Sequence, residues 1–145
     1  MFLLQSTTLP SPEELLPPAD HACGGIVTFE GRVRDHHEGR AVSALEYEAY
    51  EALALAEGDA ILAEASARFA PVRVAAAHRH GRLELGEAAV VVVAASAHRQ
   101  EAFAACRWVI DAIKERLPVW KREHYTDGTS AWVACGCQHH GTETT

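Results

Sequence analysis

The chain has 145 residues, 48% hydrophobic and 23% charged, the size and balance of one soluble domain with one core. Its formal net charge of −7 excludes a general nucleic-acid binder, which needs a basic surface, but leaves room for a local basic pocket. No apolar run approaches the ~20 residues that span a bilayer, and MFLLQSTTLPSPEELL lacks the basic and apolar regions of an export signal, so a cytoplasmic protein is expected.

In chain order, residues 2–9 suit a short first strand. Ser11-Pro12-Glu13-Glu14 reads as a helix start, with Ser11 as N-cap, Pro12 at N1 and Glu14 at N3 closing a capping box; Pro17-Pro18 ends that helix. Residues 24–34 alternate as a strand, with Gly31 marking a bulge or a close backbone approach. A polar loop, Asp35 to Arg40, leads into a strand over 42–49, which is expected to run antiparallel to the strand before the loop.

From Tyr50 to Phe69 the period becomes helical, with Leu53, Ala56, Ala60, Ile61 and Ala65 on the apolar side; Gly58 inside it costs about 1 kcal/mol relative to Ala. Pro71 opens a strand through His78, followed by turn residues around Gly81 and Gly86. AAVVVVAASA (88–97) reads as a central strand covered on both faces. A second long helix runs from Arg99 to Arg116, with Phe103, Cys106, Val109, Ile110, Ile113 and Leu117 as its stripe. Residues 119–125 make a strand, Asp127-Gly128 a turn, and 130–134 a last short strand. The class is α+β, mainly antiparallel, with five or six strands and two main helices. Residues 1–134 are expected to form one catalytic domain, and 135–145 a flexible tail.

Three groups can carry chemistry. Arg32 and Arg34 share one strand face, and paired guanidiniums suit a phosphate as well as a neighbouring Asp35 or Glu38. His98 and Arg99 stand where a buried strand enters a helix, a position that attracts anions; an ion pair to Glu101 is the plainer alternative. Lys114 and Lys121 flank Pro118, so they can converge where the helix turns back into the strand. A lysine crowded by cations or burial can move protons near neutral pH; a solvated lysine at a helix end is the alternative.

The four cysteines, Cys23, Cys106, Cys135 and Cys137, read as free thiols. Cys106 belongs to the core. Cys135, Cys137, His139 and His140, with His21, Cys23, His36 and His37 as further donors, offer ligand types suited to zinc or copper, but the spacing is no zinc signature. No metal site is assigned.

GGIVTFEGRVRDHHEGRAVSALEYEAY, AHRHGRLELGEAAVVVVAASAHRQEAF and IDAIKERLPVWKREHYTDGTSAW resemble, in order and separation, the signature stretches of the molybdopterin synthase large-subunit family. The resemblance spans about residues 22–133. It implies an α/β hammerhead-like fold and a homodimer at the core of a heterotetramer. It implies sulfur transfer to cyclic pyranopterin monophosphate from a small ubiquitin-like carrier ending in a Gly-Gly thiocarboxylate, with no cofactor. Carried over by motif, Lys114 and Lys121 are catalytic. Phe29, Arg32, Val33, Arg34, His98, Arg99, Lys114, Lys121, Arg122 and Glu123 bind substrate. The run VACGCQHH after Trp132 departs from the family pattern. A Cys/His metal-binding module and a non-catalytic interaction subunit remain the alternatives.

Overall fold

A computed structural model describes residues 1–17 and 21–133. The described elements are β1 (Phe2–Gln5), α1 (Pro12–Leu15), β2 (Gly25–Arg32), β3 (His36–His37), β4 (Arg40–Ala49) and α2 (Glu51–Arg68), then β5 (Val72–Arg79), β6 (Gly81–Glu84), β7 (Ala88–Ser96), α3 (Arg99–Arg116), β8 (Val119–Tyr125) and β9 (Ser130–Val133). The expected class holds: α+β, with two 18-residue helices and antiparallel pairing everywhere except β1 on β5.

The first sheet has the order β1-β5-β7-β2. Its central strand β7 pairs with β5 on one side and β2 on the other, as an all-apolar strand requires. Alternation splits β7 between two cores. Val90, Val92 and Ala94 face α2 and α3, whereas Val91 and Val93 pack under Leu9 and the α1 segment. Helix α1 starts with the expected reciprocal capping box between Ser11 and Glu14. Arg116 ties α3 to α2 through Glu57 and Glu64, both at 2.7 Å.

The second sheet has the order β3-β4-β8-β9, with β6 also on β4. The expected pairing of the strands on either side of the Asp35–Arg40 loop does not occur: β2 pairs with β7, and β4 with β3, β6 and β8. The loop itself folds into a two-residue hairpin turn. Glu38 and Gly39 take φ of 52° and 80°, and His37 pairs with Arg40, which directs the chain into the second sheet. Strand β6, read from sequence as a turn region, is four residues that begin at Gly81, with a second glycine of positive φ, Gly86, two residues past its end. Where the sheets meet, Val33, Val42, Leu45, Tyr47, Leu83, Ala89 and Tyr125 form a separate core.

Two helix faces differ from expectation. On α2 the buried residues are Ala54, Gly58, Ile61, Leu62 and Ala65, leaving Leu53 51% exposed. On α3 Phe103 stands outside the buried stripe. Among the described residues no helix is long and apolar enough to cross a membrane.

Candidate functional site

The strand-helix-strand run β7-α3-β8 builds the site. Helix α3 buries Ala102, Ala105, Cys106, Val109 and Ile113, so Lys114 emerges at the edge of the buried stripe in the last turn, where the helix dipole favours a cation. Pro118 ends the helix, and β8 then runs antiparallel along β4, placing Lys121 opposite Tyr47. The two lysines therefore meet. Two adjoining cavities, about 780 Å³ and 150 Å³, share His37, Tyr47, Val90, Lys114 and Lys121 on their walls.

The smaller cavity adds Arg32 and Arg34, so four cations surround one lining carboxylate, Glu123. Both arginines reach it because β2 bulges between Gly31 and Arg32, and a Cβ on Gly31 would lie 2.8 Å from Val90. Arg32 is also held at 2.8 Å by Glu30, an exposed pair one strand step away. The larger cavity adds Arg40 and Glu38 along with the aromatic rings of Tyr125 and Trp132. Within an acidic chain, this is a locally basic pocket.

Glu123 is 3% exposed and accepts from Tyr125 Oη at 2.9 Å and His37 Nδ1 at 3.2 Å. Burial, and then the Glu123 carboxylate, raise the Tyr125 phenol above its ordinary value. The Arg40 guanidinium lies 3.6 Å over the Tyr125 ring. His78 lines the larger cavity from β5, with its Nδ1 2.9 Å from the Arg79 carbonyl and its ring edge-on to Tyr47. Burial lowers His78 to about 4, so its imidazole is neutral near pH 7.

The remaining expected site residues stand elsewhere. Phe29 lines a third, largely apolar cavity beside Phe103, Cys106 and Lys114. Val33 is 4% exposed and belongs to the core between the sheets, so its side chain supports the pocket from behind. Arg122 points away, to Glu46 at 3.2 Å and over the Trp132 ring. The Glu46 carboxyl is held below its ordinary value, first by His124 and then by Arg122. Cys106 is buried, which pushes its thiol up to about 11.

His98 and Arg99 are exposed at the opposite end of α3, where the Arg99 Cα lies 3.3 Å from a Cβ built on Gly25. Lys114 is fifteen helical steps along from Arg99, roughly 22 Å. Within one chain the His98–Arg99 pair does not join the lysines. The sequence offers His37 only as a metal donor; its place on the cavity wall follows from the Glu38-Gly39 turn, of which Gly39 is the sequence signal. Among the described residues, no three of His, Cys, Asp and Glu gather as a metal site. Cys135, Cys137, His139 and His140, with the rest of the expected tail, lie outside the described residues.

The profile of the MoaE protein family matches residues 6–116. A molybdopterin synthase catalytic subunit from Nostoc sp. is 44% identical over 124 residues, 84% of this chain and 75% of the relative. One from Pyrococcus abyssi is 49% identical over 110 residues, 76% of this chain and 74% of the relative. The crystal structure of molybdopterin synthase from Staphylococcus aureus superposes with a TM-score of 0.85 at 30% identity, covering 92% of this chain and 96% of that one.

Proposed function

The chain belongs to the MoaE protein family, and from that premise we propose that it is the catalytic subunit of a molybdopterin synthase working in the cytoplasm. The reaction moves sulfur from the thiocarboxylate tail of a small carrier subunit onto cyclic pyranopterin monophosphate. The observation that carries this reading is the convergence of Lys114 and Lys121 on cavities also lined by Arg32 and Arg34.

The chemistry suits that convergence. Carrier tail and substrate phosphate are both anions, and bringing them together costs Coulomb repulsion unless fixed cations offset it. Arg32 and Arg34 supply planar forks for phosphate oxygens. Lys114 and Lys121 are compact point charges that stabilise negative charge developing during transfer and move protons. The carrier brings the sulfur, so no cysteine of this chain acts as nucleophile. Cys106, buried with a raised pKa, suits that role poorly.

His98 and Arg99 serve the same reaction through a homodimer. Strand β2 is the outer strand of its sheet, with Ile26 59% exposed and Phe29 and Phe103 exposed beside it. Such an edge invites pairing. Helix α3 and β2 run the same way, from Arg99 beside Gly25 to Lys114 beside Gly31. A two-fold axis through the middle of β2 reverses that direction in the second copy. The partner subunit's His98 and Arg99 then arrive next to this chain's Lys114.

The test is sulfur transfer in vitro. The purified chain, a thiocarboxylated carrier and cyclic pyranopterin monophosphate are combined, and dithiolene product is measured. Lys114→Ala and Lys121→Ala are each expected to lower turnover about a hundredfold or more, with carrier binding retained. Undiminished product from both variants would remove the site assignment, and no product from the wild-type chain would remove the function.

A further inference from the structure

The reaction needs an oxygen atom as well as a sulfur atom. A thiocarboxylate that gives up its sulfur leaves as a carboxylate, and the new oxygen comes from water. When the thiocarboxylate sulfur displaces an oxygen substituent from a substrate carbon, the C–O electron pair leaving on that oxygen, carrier and substrate are joined as a thioester. Water must then attack the acyl carbon. Its oxygen forms the new C–O bond, the C–S electron pair goes to sulfur, and two protons are released with the carboxylate and thiolate. Water is a weak nucleophile, so the step calls for a base that takes the first proton.

We propose that His37, oriented by the buried Glu123 carboxylate, is this base. The inference rests on the sulfur-transfer reading above and adds a catalytic residue to it. A carboxylate accepts hydrogen bonds and cannot donate them, so the contact with Glu123 places the imidazole hydrogen on Nδ1. That leaves the Nε2 lone pair for the cavity. Nε2 is 3.9 Å from Glu38 Oε2, beyond hydrogen-bond reach, and Glu38 itself is 83% exposed. The ring lines both cavities, as do Lys114 and Lys121, and Tyr125 lines the larger one.

The orientation is fixed from three sides. The hairpin turn pairs His37 with Arg40, Arg40 stacks on Tyr125, and the Tyr125 hydroxyl donates to the same Glu123 Oε1 that His37 contacts. A carboxylate buried to 3% exposure is retained here with two donors, one of them the imidazole. An imidazole held by a carboxylate at one nitrogen and open at the other is the arrangement used to activate weak nucleophiles. His36, its neighbour, pairs at 2.8 Å with the exposed Asp35 and lines only the smaller cavity.

The experiment follows a single turnover of the full chain by intact mass spectrometry. Loss of thiocarboxylate reports formation of the carrier–substrate adduct, and appearance of carrier carboxylate reports its hydrolysis. In His37→Gln the side-chain amide can still donate to Glu123 but offers no comparable base. Adduct formation is expected to keep its wild-type rate while hydrolysis slows about a hundredfold, so the adduct accumulates. In His37→Ala, added imidazole is expected to restore hydrolysis in proportion to its concentration. Wild-type hydrolysis rates in His37→Gln, or a defect confined to adduct formation, overturn the proposal. Failure of the underlying function looks different: the wild-type chain then forms neither adduct nor product.

Discussion

Replacing Gly58 by alanine should destabilise the protein, although alanine is the better helix former. Gly58 sits on the buried face of α2, and a Cβ there would lie 2.3 Å from both Cγ and Cδ2 of the Phe2 ring. The ring cannot simply slide away. Phe2 is 3% exposed, its strand is in register with Ala76, and its backbone N–H donates to Asp59 Oδ1 at 3.1 Å. Helix propensity favours the alanine by about 1 kcal/mol, and forcing one more carbon into a filled core costs about 1–3 kcal/mol. The net expectation is a loss of roughly 1 kcal/mol. The diagnostic is the sign in a second background. Phe2→Ala alone should cost about 3–5 kcal/mol, and with the ring gone Gly58→Ala should stabilise by about 1 kcal/mol. Urea unfolding of the four proteins at one fixed concentration measures the cycle, since the proposed dimer would make stability concentration-dependent. A stabilising Gly58→Ala in the wild-type background would refute the packing argument.

A site completed across a dimer predicts complementation. Lys114→Ala and a His98→Ala/Arg99→Ala double variant are each inactive alone. After subunits are exchanged at random, half the dimers are mixed and each has one intact site, so roughly a quarter of wild-type turnover should return. No recovery from variants that still dimerise would place His98 and Arg99 outside the site. A third prediction concerns acid stability. Burial holds His78 at about 4 instead of 6.5, so the unfolded chain takes up the proton first as pH falls. That contribution is whole above pH ~6.5 and is lost on the way down to pH ~4, a total of roughly 3 kcal/mol. His78→Phe should flatten the fall in urea midpoint between pH 7 and 5; an unaltered slope would show that His78 is not its source.

The sequence signals that succeeded were those with one physical meaning. A Ser-Pro-Glu-Glu run is a capping box whatever surrounds it, and a nine-residue apolar strand has to be covered on both faces. The slips came where local pattern carried little information. In α2 the alanines weaken the amphipathic contrast: Ile61 and Ala65 are buried as expected, but toward the start of the helix Ala54 and Gly58 are buried in place of Leu53, Ala56 and Ala60. The buried face is marked by a glycine, which reads as a defect until Phe2 is seen to fill its space. The pairing of β2 with β4 failed because two positive-φ residues, Glu38 and Gly39, turn the intervening loop into a hairpin of its own.

The site shows the same division at longer range. Lys114 and Lys121 are joined by a helix end and a strand start, so their meeting follows from the six residues between them. The His98–Arg99 pair is joined to Lys114 by a rigid helix, which fixes a separation of roughly 22 Å and makes a meeting within one chain impossible. The resemblance named all four residues as parts of one site without indicating that separation. Helix length supplies what the motifs omit: if the four act on one substrate, the rigid spacer has to be bridged by a second copy. The outer strand β2 lies beside the same helix and in the same direction, and it is the part of this fold placed to bring that copy in.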